Sequence, residues 1–126
     1  MAKKDDRPID VGLAALIGSD EAGAIAFWKK RFDLIAAIPS EIARVGALTP
    51  QLRELTRITN EAERERLTRA RIIAFAQLPA DMRQKIAEAR KAAWKVDDEV
   101  LQKDQTLVEK ILPTVDASVR SVYPSP

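Results

Sequence analysis

Proline divides this chain into stretches of helix-forming residues. Pro39, Pro79 and Pro113 each end a stretch in which apolar residues recur at helical spacing, and proline interrupts an α-helix because it lacks an N–H donor and clashes with the preceding turn. Ala, Leu, Arg, Lys and Glu together make up almost half of the chain, and all five favour helix. No stretch alternates apolar and polar residues with the period of two that is typical of a half-buried strand. The sequence predicts an all-α helical bundle with four to five main helices.

Capping residues and prolines also place the individual elements. Thr49-Pro50 is typical of a helix start, because proline at the first helical position loses no hydrogen bond. The predicted helices are two short ones at 10–17 and 40–46, and longer ones at about 20–37, 50–78 and 80–112. No internal repeat is evident. We expect residues 1–8 to be a disordered tail, 9–123 to form a single helical domain, and 124–126 to be a frayed C-terminus.

The 50–78 stretch contains a conflict. On one continuous helix, Arg66 and Arg69 would lie among apolar residues, and burying two unpaired arginines costs too much free energy. Asn60 with Glu63 forms a capping pattern. We therefore expect a break near Asn60. The apolar segment at 72–76, IIAFA, should be buried on several sides.

The chain contains no Cys and no His, which excludes thiol and imidazole chemistry. Zinc fingers, Cys or His nucleophile–base pairs and 2-His-1-carboxylate iron sites all need these residues. The four glycines are scattered and form no phosphate loop. We expect a protein that is not an enzyme, with no cofactor and no metal site. No apolar run reaches 18 residues and no signal peptide is evident, so a cytoplasmic location is the simplest expectation.

The 80–112 stretch has no Gly or Pro and predicts one helix of about 32 residues, or ~48 Å. Apolar residues follow a 4-3-4-3-4 spacing along it, which is typical of a coiled-coil-like seam. This seam is either the core face of a bundle helix or a partner-binding surface. Its residues are Met82, Ile86, Ala89, Ala93, Val96 and Val100.

Charge is divided along the same stretch. Residues 81–95 carry a net charge of +3 and residues 97–110 a net charge of −3, which is opposite to the preference of the helix dipole. Two such helices packed antiparallel would place each basic half beside an acidic half, as a two-fold homodimer does. The leading hypothesis is a non-catalytic helical interaction or assembly protein that binds protein partners, including itself, through the seam.

A nucleic-acid-binding protein is the alternative from a different class. Four arginines fall within about 40° of one another on a continuous helix, and they are Arg53, Arg57, Arg64 and Arg71. Glutamates occupy the adjacent strip, namely Glu54, Glu61 and Glu65. This interleaving favours an ion-paired, solvated surface over a groove for phosphates, so nucleic acid is the less favoured partner.

Peripheral membrane attachment through residues 9–38 is a further alternative. The segment from Phe27 to Phe32 interleaves aromatic residues with three cations, a composition also found at membrane surfaces. On a helix, however, Trp28 and Phe32 share one face, which equally predicts a core position.

Overall fold

The computed structural model describes Leu16, residues 18–94 and residues 99–123. All regular structure in this part of the chain is helical, which confirms the all-α bundle. Six α-helices are described, with a turn of 3₁₀-helix at Leu112–Thr114 between the last two. The α-helices are α1 (Glu21–Ala36), α2 (Glu41–Thr56), α3 (Glu61–Ala76), α4 (Ala80–Trp94), α5 (Glu99–Ile111) and α6 (Ala117–Val122).

Helices α1, α2 and α3 begin at intervals of 20 residues, and each is 16 residues long. The side chains of Asp20, Ser40 and Asn60 each accept a hydrogen bond from the backbone N–H three residues later, at 2.7, 3.3 and 2.9 Å. Each cap satisfies one of the N–H groups that a helix start leaves without an intrahelical partner. The repeat lies in the position of the caps rather than in the identity of the residues, which is why the sequence does not reveal it.

The predicted break near Asn60 is confirmed. Helix α2 ends at Thr56, and Asn60 caps α3. The break places the side chain of Arg66 on a half-buried edge, where it donates to Leu16 O at 2.9 Å and forms an ion pair with Glu63 at 2.7 Å. The conflict seen in the sequence is therefore resolved by the break.

The predicted restart at Pro50 is wrong, because α2 continues through this residue. Proline at this point leaves the Gly46 carbonyl without its usual intrahelical donor. Both Gly46 and Pro50 are exposed, so water can hydrogen-bond to that carbonyl and the cost of the interruption is small.

The core lies between layers of helices that are two apart in the sequence. Helix α1 packs most extensively on α3, α2 packs on α4, and α5 lies against both α2 and α3. A chain of aromatic rings crosses the core through Trp28, Phe32, Phe75 and Tyr123, with successive centroid distances of 5.7, 6.4 and 5.1 Å. Most of the IIAFA segment at 72–76 is buried, as predicted.

The single helix predicted over 80–112 is not what the structure shows. Helices α4 and α5 are separate elements, and residues 95–98 lie outside the described part. Arg90 Nε and Asp104 Oδ2 are 3.5 Å apart. On a continuous helix, residues 14 positions apart are separated by about 21 Å along the axis, which two side chains cannot bridge. The chain therefore folds back between α4 and α5.

Several sequence-based expectations fall outside the described residues. These are the tail at 1–8, most of the short helix at 10–17, the frayed end at 124–126, and the seam residue Val96. The side chain of the seam residue Val100 also lies outside the description.

Candidate functional site

The seam of α4 faces the protein's own core. Ile86, Ala89 and Ala93 are buried, and Met82 is half-buried against the same cluster. On α5 the core face is formed by Leu101, Asp104, Val108 and Ile111. The described part of the seam is therefore already occupied within one chain.

A charged cluster, formed by Arg71, Arg90 and Asp104, links α5 to α3 and α4. Asp104 on α5 is 0% exposed. It accepts a hydrogen bond from Arg71 Nη1 of α3 at 2.7 Å, and its other oxygen lies 3.5 Å from Arg90 Nε of α4. One basic residue of the 81–95 half, Arg90, thus meets one acidic residue of the 97–110 half, Asp104, within one molecule.

The environment of the two arginines differs. Burial acts to lower the pKa of Arg71, but Asp104 and Tyr123 outweigh it, so that this pKa lies above its ordinary value. Burial lowers the pKa of Arg90 below its ordinary value, and the neighbouring Arg71 adds to this effect. Both guanidiniums remain charged, since arginine does not deprotonate in proteins. The Arg90 guanidinium also lies over the Tyr123 ring at 5.5 Å.

A small cavity lies beside this cluster. Its volume is about 20 Å³, which holds a group the size of one water molecule and no organic ligand. Arg71, Arg90 and Tyr123 form its polar end, and apolar side chains from α1, α2, α3 and α4 form the rest. The small volume of the cavity and the ion pairs within the cluster favour a structural role for the cluster.

The predicted arginine stripe does not form one surface. Arg71 is buried in the cluster with Asp104, while Arg53 and Arg64 are half-buried and Arg57 is exposed. Arg64 Nη1 donates to Ile58 O at 2.7 Å, which fixes the guanidinium over the α2–α3 connection. The break near Asn60 separates residues that the projection on a continuous helix placed together.

The glutamates of α3 are engaged away from these arginines. Lys110 of α5 contacts Glu65 at 2.5 Å and Glu61 at 3.3 Å. The hydrogen bond from Lys110 lowers the pKa of Glu65, and the hydrogen bond from Arg66 lowers the pKa of Glu63. Glu61 and Glu65 are therefore paired with Lys110, and the charge of Arg64 makes a smaller contribution to the lowered pKa of Glu65.

The aromatic and cationic segment of α1 belongs to the core. Trp28 and Phe32 are buried, and Arg31 is also buried, stacked 4.3 Å from the centroid of the Phe27 ring. Arg31 Nη1 lies 3.4 Å from Gln51 Oε1 of α2. The described aromatic residues thus pack inward rather than forming an exposed membrane-facing group. None of the described helices combines the length and the apolar character needed to cross a membrane.

The outer face of α2 is the exposed feature that the sequence did not predict. This face consists of Ile42, Val45, Gly46 and Thr49, which are spaced i, i+3, i+4 and i+7; Ile42 and Gly46 are exposed, and Val45 and Thr49 are half-buried. Ile42 is 85% exposed. The charged residue within 42–50, Arg44, turns its buried guanidinium back to the carbonyls of Ile38 and Pro39 at 2.7 and 3.2 Å. The outer face therefore carries no charge, and the predicted break at Pro50 concealed its length.

Comparisons with known proteins add no assignment. No family model, curated protein or solved structure matches this chain. Within residues 18–94 and 99–123, Asp and Glu side chains do not gather in a group of three or more that would hold a metal ion.

Proposed function

We propose that this protein is a non-catalytic helical interaction protein that pairs with a second copy of itself through the outer face of α2. The observation that carries the proposal is the uncharged exposed face of α2, with Ile42 85% exposed. Charged residues make up 32% of the chain, but the four residues of this face, which spans about two turns of helix, include none. This face takes the place of the seam of α4 as the proposed contact surface, because the described seam residues face the core.

Helix α2 has more apolar surface than its place in the bundle requires. Leu48, Leu52 and Leu55 bury one face in the core, and Val45 is half-buried against the core at its edge, while Ile42 remains exposed. Burying a side chain the size of Ile42 against a partner contributes about 1.5–3 kcal/mol. Helices that dock on partners use this i, i+3, i+4, i+7 spacing for their anchor residues.

Gly46 lies at the centre of the outer face and adds two properties. It has no side chain, which lets a second helix approach its backbone closely. Its carbonyl receives no hydrogen bond from Pro50, because proline has no N–H, and so it can accept one from a partner. A two-fold axis near Gly46 would bring the same features together from both copies.

Sedimentation equilibrium in the tens-of-micromolar range tests the pairing. We expect a dimer for the wild type and about tenfold weaker association for Ile42→Lys, because a lysine at the contact must be desolvated. Val122→Lys is the matched control, since Val122 is also an exposed apolar residue, at 37%, but lies on α6. It should leave the dimer intact.

Gly46 supplies a second pair of variants that separates association from folding. A Cβ at Gly46 meets nothing within 4 Å, so Gly46→Ala should stabilise α2 by about 0.5–1 kcal/mol. Gly46→Leu should fold equally well but block close approach of the partner helix. A wild-type chain that remains monomeric throughout this concentration range, or a dimer unaffected by both Ile42→Lys and Gly46→Leu, would refute the proposal.

A further inference from the structure

A solvent-open cleft of about 380 Å³ lies between α2, α3 and α5. Its walls are the last residue of α2, a residue near the start of α3, and one side of α5. The lining residues are Thr56, Arg64, Lys103, Thr106 and Leu107. We infer that this cleft binds the phosphate group of a small phosphorylated molecule.

Charge is the first argument. Arg64 and Lys103 both line the cleft, and neither forms an ion pair with any carboxylate in the part of the chain that the structure describes. The glutamates nearest to Arg64 in sequence are held elsewhere, Glu63 by Arg66 and Glu65 by Lys110. The cleft therefore carries two positive charges, which match the charge of a phosphate group.

The position of the Arg64 guanidinium is the second argument. Its Nη1 donates to Ile58 O at 2.7 Å, and this bond anchors one side of the group. The guanidinium has five N–H donors in a rigid fork, so the donors not used for Ile58 are available for phosphate oxygens. A preformed donor loses less conformational entropy on binding than a flexible one.

The remaining walls of the cleft carry both polar and apolar groups, which suit a ligand with both kinds of surface. Thr56 and Thr106 donate their hydroxyl groups to carbonyls of their own helices, at 2.8 and 3.2 Å, and their oxygens can still accept hydrogen bonds. Leu107 is half-buried and apolar. A phosphate attached to a sugar or a nucleoside would place its anion on the cations and its polar or ring atoms on these walls.

The size of the basic surface favours a small molecule over nucleic acid. Volumes of about 300–1,000 Å³ are typical of small-molecule sites, and the cleft falls within this range. Proteins that bind duplex DNA neutralise several phosphates along an extended surface. Here Arg71, the fourth residue of the predicted stripe, is buried with Asp104, and the neighbouring Lys110 is neutralised by Glu61 and Glu65.

The test uses the full chain, labelled with ¹⁵N, and adenosine 5′-monophosphate as the probe, with adenosine as the reference at constant ionic strength. We expect saturable chemical-shift changes at the amides of Thr56, Arg64, Lys103 and Thr106 with the monophosphate, and none of them with adenosine. Inorganic phosphate should shift the same amides at higher concentration. Diffuse or unsaturable changes would overturn the inference.

Lys103→Gln is the informative variant because Lys103 is exposed, and its replacement should leave the fold intact. It should weaken binding of the monophosphate about tenfold, the value of one charge-assisted hydrogen bond. Lys85→Gln is the matched control, since Lys85 is also an exposed lysine but lies on α4, outside the residues that line the cleft. Equal effects of the two variants would contradict a site in the cleft.

An oligonucleotide provides the last comparison. Single-stranded or duplex DNA that binds far more tightly than the monophosphate, with affinity that falls steeply as salt is raised, would replace a small-molecule site with a nucleic-acid surface. An oligonucleotide that binds no more tightly than the monophosphate would support the inferred site.

Discussion

Replacing Asp104 tests whether the fold-back of α4 and α5 depends on the buried ion cluster of Asp104, Arg71 and Arg90. Asp104→Asn is nearly isosteric, so the core keeps its packing and the oxygen of the amide can still accept from Arg71. What changes is the charge. Asp104 contacts Arg71 at 2.7 Å and Arg90 at 3.5 Å, and the substitution removes the carboxylate that the two guanidiniums share.

The expected cost follows from the burial of the cluster. Asp104 is 0% exposed and Arg71 is 2% exposed, so water cannot replace the lost carboxylate. Breaking a buried ion pair by removing one partner costs about 3–5 kcal/mol. A domain of 126 residues has a free energy of unfolding of about 6–19 kcal/mol. The substitution should therefore remove between a sixth and most of the stability.

Equilibrium urea unfolding followed by far-ultraviolet circular dichroism measures this loss. Glu109→Gln is the control on the same helix, because Glu109 is exposed and surface substitutions change stability by about 0.5 kcal/mol or less. Replacing the whole cluster, as Arg71→Met, Arg90→Met and Asp104→Leu together, should recover most of the stability lost in Asp104→Asn. Apolar side chains of similar volume often match a buried ion cluster.

Two results would refute this reasoning. A loss below about 1 kcal/mol for Asp104→Asn would mean that water reaches the cluster and screens it. A triple variant less stable than Asp104→Asn would mean that the arginines stabilise the core through contacts other than those with Asp104. In either case the ion pairs would not hold α5 in place.

Three further predictions concern local features. Asn60→Ala should lower the free energy of unfolding by about 1 kcal/mol through loss of the α3 cap, and Asn60→Asp should retain it, as measured by urea unfolding. Lys110→Gln should raise the pKa of Glu65 toward 4.5, since the hydrogen bond from Lys110 lowers it, and a carboxyl ¹³C titration measures this change. In the wild type, the stability that this pair contributes is present above pH 4.5 and is lost as the pH falls through the pKa of Glu65 in the folded protein. Leu52→Ala, at a buried position, should cost about 2–5 kcal/mol, whereas Ile42→Ala should change the stability of the monomer by less than about 0.5 kcal/mol.

Local signals in the sequence predict several of the helix boundaries. Pro39 and Pro79 lie in the connections that follow α1 and α3, and the capping pattern at Asn60 marks the break before α3. These predictions succeed because capping and chain breaking depend on residues a few positions apart. Burial of the aromatic residues Trp28 and Phe32 follows from helical periodicity for the same reason.

The outer face of α2 and the basic cleft could not be predicted in this way. The first was hidden because Pro50 predicts a helix start, and its position inside a helix is tolerated only where the Gly46 carbonyl meets solvent. The second joins residues of three helices, and Lys103 and Thr106 lie far from Arg64 in sequence. No local pattern indicates that Glu61 and Glu65 of α3 contact Lys110 instead of the arginines of the predicted stripe.

The error over α4 and α5 has the most general physical reason. Opposite charges on the two halves of a helix-forming stretch attract each other, and such a contact can form within one chain, as between Arg90 and Asp104, or between two. Within one chain it requires a turn but no loss of translational and rotational freedom, which association between molecules must overcome. The sequence contains a sign of the first solution, because the apolar seam is interrupted by an acid at Asp104. An acid at a core position needs buried cations, and Arg71 and Arg90 reach it only if the chain folds back.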